Sequence, residues 1–270
     1  MTAPTDIRPV IVRNVTVARV VHAEWLKLRS LRSTAWTLLS AVAALVVIGA
    51  VVAYATNKQW ASVPSDVKAH FDPIPRSLVG VNLAQLAIGV LGVLLISGEY
   101  STGMIRASLA AVPARWPVLV AKAGLYAVIT FAVMLPTTFI AFVLGQNLLG
   151  THGTTLSAPH AVTAIFGAAA YLTLIGLLAL GLGFIVRSTA GAIAALVGLL
   201  LVLPGIGQVL PTSWRNNLLP FLPSNAGASM FNPHPEDPAA LTATQGLLVL
   251  SLWVLVSLLI AGIRLQRRDA

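Results

Sequence analysis

The chain has 270 residues, of which 57% are hydrophobic and only 9% charged, and its mean hydropathy is +0.87. A water-soluble domain carries about 25% charged residues, so this composition excludes one, and a bilayer is the solvent that suits it. The chain holds no cysteine and a net charge of +9; a disulfide framework and a thiolate metal site are excluded, and basic residues confined to short loops and tails fit membrane topology better than nucleic-acid binding.

The first apolar run begins near Trp36, behind a long basic segment (residues 1–35) without the charged-then-apolar layout of a cleavable signal peptide. Within it, "VARVVHAEWLKLRSLRSTAWTL" places Val17, Val20, Val21, Trp25, Leu28 and Leu31 on one helical face, with Arg19, His22, Arg29 and Ser33 opposite. This predicts an amphipathic helix in the membrane interface, its basic side chains available to anionic headgroups. Glu24 falls in the middle of the apolar face, where a carboxylate needs a partner: Lys27, Arg32, or a group on a docked cytoplasmic protein.

A helix needs roughly 20 apolar residues to cross a bilayer, and six stretches qualify: Trp36–Thr56, Leu78–Ser97, Val118–Gly145, Ala161–Val186, Gly191–Leu210 and Leu241–Ile263. The third contains Pro136, which predicts a kink. The fifth ends in "LPGIGQVLP", and the Pro-rich stretch that follows reads as an outer, re-entrant segment over about residues 203–238. Internal repeats are absent, which argues against an inverted-repeat carrier. The expected fold class is an all-α integral membrane protein, with a six-helix domain over residues 36–263 and a basic tail over 264–270.

With the amino terminus inside, thirteen of the seventeen basic residues fall on the cytoplasmic side, among them Arg8, Arg13, Arg106, Arg115, Arg187, Arg264 and Arg268; Lys58, Lys68, Arg76 and Arg215 fall outside. That bias follows the positive-inside rule and puts both termini in the cytoplasm. It also puts "GEYSTGMIRASLAAVPARW" (Gly98–Trp116) there. Lys122, about one turn inside span three, is read as snorkelling to the same surface. Glu99 is placed to reach a basic residue or cap the next helix, with Ser101 or Thr102 as alternative caps. Met104, Ile105, Leu109 and Val112 offer an apolar ridge for a groove, and Arg106 and Arg115 offer forked donors to carboxylates or lipid phosphate.

Span two carries Asn82, Gln85, Gly89 and Gly92 within an arc of roughly 80°, and span five puts Gly191, Ala194, Ala195 and Gly198 on one face. Such stripes serve helix packing or a substrate path; amides in hydrocarbon seek hydrogen bonds. No charge sits at mid-span, which argues against proton coupling. The P-loop pattern is missing, down to the absence of any Gly-Lys pair. The Gly-x-Ser-x-Gly serine motif is likewise missing. His70, His152, His160 and His234 lack metal-ligand spacing, and "HAE" at His22–Glu24 has no cysteine to complete a deaminase site. Neither a catalytic nor a metal site is expected, and the chain is read as a non-enzyme.

Three features together resemble permeases of the ABC type 2 exporter family: "AEWLKLRSLRST" entering span one, "GEYSTGMIRASLAAVP" with Glu99 and Gly103 in that family's Glu-x-x-x-Gly pattern, and six spans with a Pro-rich outer segment before the last. Met104 stands where family members often have Thr. The resemblance implies that residues 99–112 form a cytoplasmic coupling helix seated in a P-loop ATP-binding subunit, with Glu24, Glu99, Gly103, Met104, Arg106 and Arg115 at the contact. ATP and magnesium would then be bound by that subunit and no cofactor by this chain. It implies export across a bacterial plasma membrane by a pair of permeases, this chain with a second copy or a paralogue, with Asn82, Gln85, Gly89, Gly92 and Gly198 along the path. The alternative is a six-span scaffold that recruits a cytoplasmic partner without ATPase activity.

Overall fold

In a computed structural model, residues 16–30, 32–112, 115–233 and 239–267 are described; Arg8, Arg13, Leu31, His234 and Arg268 lie outside them. The helices are α1 (Val17–Ser30), α2 (Arg32–Lys58), α3 (Ser65–Ala69), α4 (Pro73–Ser77), α5 (Val81–Ser101), α6 (Met104–Ala111), α7 (Trp116–Leu149), α8 (Ala161–Val186), α9 (Thr189–Val197), α10 (Leu203–Gly207), α11 (Thr212–Leu218), α12 (Pro223–Ala228) and α13 (Ala243–Arg267). Six segments are long and apolar enough to cross a membrane: α2, α5, Trp116–His152, α8, Thr189–Gly207 and α13. The described residues contain no strand, and the protein is an all-α, multi-pass membrane protein.

The layout follows from which spans can be covered on all sides. The most apolar stretches of α5 and α8 are 61% and 67% buried, against 22–33% in the other four, so these two form the centre. Small residues let them approach: a Cβ on Gly92 would overlap the Gly176 carbonyl oxygen. Gly176 in turn makes room for the Tyr126 ring of α7, whose hydroxyl donates to the Ile88 carbonyl at 2.8 Å. Around this pair stand α2, α7, α9 and α13, with Val47, Val51, Val128, Leu248, Leu252 and Leu255 exposed on their outer faces. In a bilayer such a surface is the lipid-facing rim rather than a liability.

Proline has different effects in two of the spans. Chain through Pro136 remains one helix, α7. In span five, Pro204 lacks the N–H that would bond the Leu200 carbonyl, and Gly198–Val202 widens into a π-turn between α9 and α10. The Pro-rich stretch beyond is a series of short helices, α11 and α12, with α12 wedged against α8: a Cβ on Gly227 would overlap the Tyr171 ring. At that far end of the bundle, Trp60 stacks on His152 at 3.9 Å between centroids, and Gln146 of α7 donates to the Pro73 carbonyl at 2.8 Å and to Ser77 Oγ at 3.0 Å.

The opposite, near end gathers α1, α6, the start of α7 and the last turns of α5, α8 and α13. α1 lies along α7, and Val20, Glu24 and Leu28 are its buried residues. Of the apolar stripe read from the sequence, Val20 and Leu28 turn to the bundle on either side of Glu24, whereas Val17 and Trp25 at its margins are exposed. The face that packs is thus the part of the stripe centred on Glu24, which brings that carboxylate to its partners.

Candidate coupling surface at the near end of the bundle

Four ionised side chains from three helices meet here. Glu24 (α1) and Glu99 (last turn of α5) are 3% and 6% exposed, and Lys122 (first turns of α7) is 2% exposed. Lys122 Nζ pairs with Glu24 Oε2 and donates to Glu99 Oε1 at 2.9 Å. Lys27 Nζ donates to Glu24 Oε1 at 2.7 Å, to Glu99 Oε1 at 3.1 Å and to Ser108 Oγ of α6 at 2.9 Å. Two positive and two negative charges cancel, which is the condition for holding such groups out of water. Glu99 Oε1 takes both ammonium groups, while its buried Oε2 has no hydrogen-bond partner.

Two sequence readings change as a result. Lys122 does not snorkel: its ammonium is sealed between two carboxylates. Glu24 finds its partners within the chain, with Lys27 three residues on and Lys122 ninety-eight residues away, and Arg32 is not among them. Both Glu24 and Glu99 therefore turn their carboxylates into the bundle.

Burial works against the charge on Lys27, but hydrogen bonds and charge attraction from Glu24 and Glu99 outweigh it and hold its pKa above the ordinary 10.5. A group raised on folding stabilises fully below its unfolded value and loses that contribution as pH rises through the folded one. Proteolytic release of α1 and α6 should thus be flat across the neutral range and rise only above 10.5; release beginning near neutrality would contradict this assignment.

α6 follows α5 through a tight turn. Ser101 and Thr102 hydroxyls both donate back to the Gly98 carbonyl at 2.9 Å, and Gly103 takes φ 70°, a left-handed value that glycine adopts without steric cost. The start of α6 therefore carries no side-chain cap from Glu99, Ser101 or Thr102. The helix splits cleanly by face. Ile105, Leu109 and the following Val112 are 1%, 8% and 8% exposed against the bundle, whereas Met104 is 44% exposed, and Arg106, Ala107 and Ala110 also face outward. Of the apolar ridge read from the sequence, three members are spent inside the chain and Met104 alone is presented.

Arg115, at φ 57° before α7, donates from Nη1 to the Leu265 carbonyl at 2.8 Å, fastening α7 to the end of α13. Arg264 likewise donates to the Ile185 carbonyl at 2.8 Å, satisfying an orphan group in the last turn of α8 where a cation also suits the helix dipole. Arg187 stands 5.2 Å from the Tyr100 ring centroid.

The pathway candidates separate. Gln85 is buried, accepts from the Tyr171 hydroxyl and donates to the Asn82 carbonyl at 3.0 Å. Gly89 meets Leu196 of α9, and Gly92 meets α8. These three lie in the helix-packing interior. Asn82 is exposed with its amide donating to the Val79 carbonyl at 3.2 Å, and Gly198 faces open space in the π-turn. Among the described residues no cluster of three or more metal-binding side chains occurs.

Sequence reasoning singled out Glu24 and Glu99 but left out Lys27, Ser108 and Lys122 as functional residues. A signal existed for Lys122, since a charge inside a span is an expense that calls for a partner. Ser108 carried none. The family model described as ABC-2 family transporter protein matches residues 20–213, a stretch that contains all five of these residues and the first five spans. No curated protein matches the chain.

Proposed function

Because the chain belongs to the ABC-2 family of transporter proteins, whose permeases generally partner with an ATP-binding subunit, we propose that it is the membrane permease of an ATP-driven exporter and that α6 is its docking helix. The observation that carries this reading is the division of α6: one face anchored by Ile105 and Leu109, the other presenting Met104 and Arg106 beside a bundle end rich in arginine. A helix with one apolar anchor and one guanidinium suits a groove of mixed apolar and acidic lining. Glu24 and Glu99 serve this surface from behind, by fixing the elements that bear it, and Gly103 supplies the turn that aims it. Arg115 acts similarly through its bond to α13.

On this reading both termini and the near end are cytoplasmic, as the loop-charge bias requires, and the membrane is a bacterial plasma membrane. ATP and magnesium belong to the partner. A second copy or a paralogue completes the transporter, and Asn82 and Gly198, being outward-facing, are the pathway candidates that such a seam would use. The scaffold alternative gains nothing from the family assignment.

The test uses the tagged chain extracted with its native partners. Arg106→Glu together with Met104→Asp is expected to lower capture of a P-loop ATPase at least about tenfold, equivalent to ~1.4 kcal/mol of binding. If scrambling residues 104–111 leaves capture and nucleotide-dependent transport intact, α6 is not the docking helix.

A further inference from the structure

We infer that Lys27 is a positioning residue that links α6 to spans two and three, so that displacement of α6 is carried into the membrane through the ion cluster. This rests on the reading of α6 as the docking helix. Among the described residues, the bond from Lys27 Nζ to Ser108 Oγ at 2.9 Å is the one side-chain hydrogen bond joining α6 to another element. The remaining anchorage of α6 is apolar and non-directional, through Ile105 and Leu109. Besides the turn at Thr102–Gly103 that joins α6 to α5, Lys27 therefore gives α6, among the described residues, its one directional side-chain tie.

The other end of that tie is firm. The same ammonium holds Glu24 Oε1 and Glu99 Oε1, and both carboxylates are held by Lys122. Glu99 belongs to α5 and Lys122 to α7, so the cluster welds α1, α5 and α7 at one point. The four members differ in burial: the side chains of Glu24, Glu99 and Lys122 are 3–7% exposed, that of Lys27 is 25% exposed. Three form a sealed root, and Lys27 is the member that reaches out to the peripheral helix. Coupling energy between neighbours of this kind resides in the pairwise contact and vanishes when one partner is removed.

The test exploits the absence of cysteine. Spin labels at Leu83→Cys and Val209→Cys, exposed positions on α5 and beyond α10, report the far end of the complete complex, purified with its ATPase and trapped with ATP and vanadate. The parent should show a nucleotide-dependent change in the label distance. Lys27→Met should keep ATPase capture yet lose that change, and Lys27→Arg, which restores a cation with several donors, should recover it. Ser108→Ala should weaken it while leaving the root intact. An unchanged distance shift in Lys27→Met overturns the inference, as does a parent that shows none. Should Lys27→Met fail to assemble, Ser108→Ala decides: a full shift in that variant also overturns it. The docking reading fails separately, if Arg106→Glu with Met104→Asp, which keeps Ser108 and its bond from Lys27, leaves capture of the ATPase at the parent level.

Discussion

Lys122→Met is expected to destabilise the protein by about 3–5 kcal/mol, the cost of stripping a buried ion cluster of one partner. Two sealed carboxylates would be left with a single ammonium, Lys27, and Glu24 Oε2 would lose the ammonium it pairs with. Removing a charge of each sign should be milder: Lys122→Met with Glu24→Gln leaves Lys27 and Glu99 as a balanced pair and should recover a large part of the loss. Unfolding in detergent, followed by helical signal against denaturant, reads both variants. Equal stability of Lys122→Met and the parent would mean that the lysine is solvated and the cluster is not a buried one.

The second large effect is expected at Gly92. A leucine there must displace the Gly176 carbonyl and the Leu180 amide of α8, which are backbone atoms and cannot swing aside. Overpacking usually costs about 1–3 kcal/mol, and an obstacle made of backbone at the central helix pair places Gly92→Leu at the upper end of that range or beyond it. Gly98→Leu is the control on the same helix. Nothing lies within 4 Å of where its Cβ would stand, and it should remain within about 0.5 kcal/mol of the parent. Monodisperse yield after extraction and the unfolding midpoint separate the two; similar behaviour would remove the close α5–α8 approach as a determinant of the fold.

The spans were legible because an apolar run of the right length has one stable solution in a bilayer. Their ends were less so. α2 begins at Arg32 rather than Trp36, and α7 extends from Trp116 to Leu149, because helix continues past the apolar run wherever its ends are satisfied. The need of Glu24 for a partner was legible from its place on the wheel, and so was Lys27 as one candidate. Lys122 was not, since pairing across ninety-eight residues is set by how α1 lies on α7, a tertiary fact with no local signature. For the same reason Gln85 reads equally well as a path residue or a packing residue until Tyr171 supplies its hydrogen bond. The amphipathic character of 104–112 was visible, but its polarity was not: which side faces the bundle depends on Gly103 and on Ser108 meeting Lys27.

The order in which the ion cluster's members are synthesised has its own consequence. A ribosome delivers Glu24 and Lys27 first, Glu99 next and Lys122 last, so in a nascent chain stopped after span two the cluster holds two acids against one lysine. Charge balance arrives only with the third span, which makes the first three spans a natural unit of insertion into the lipid, completed at Lys122 and not before.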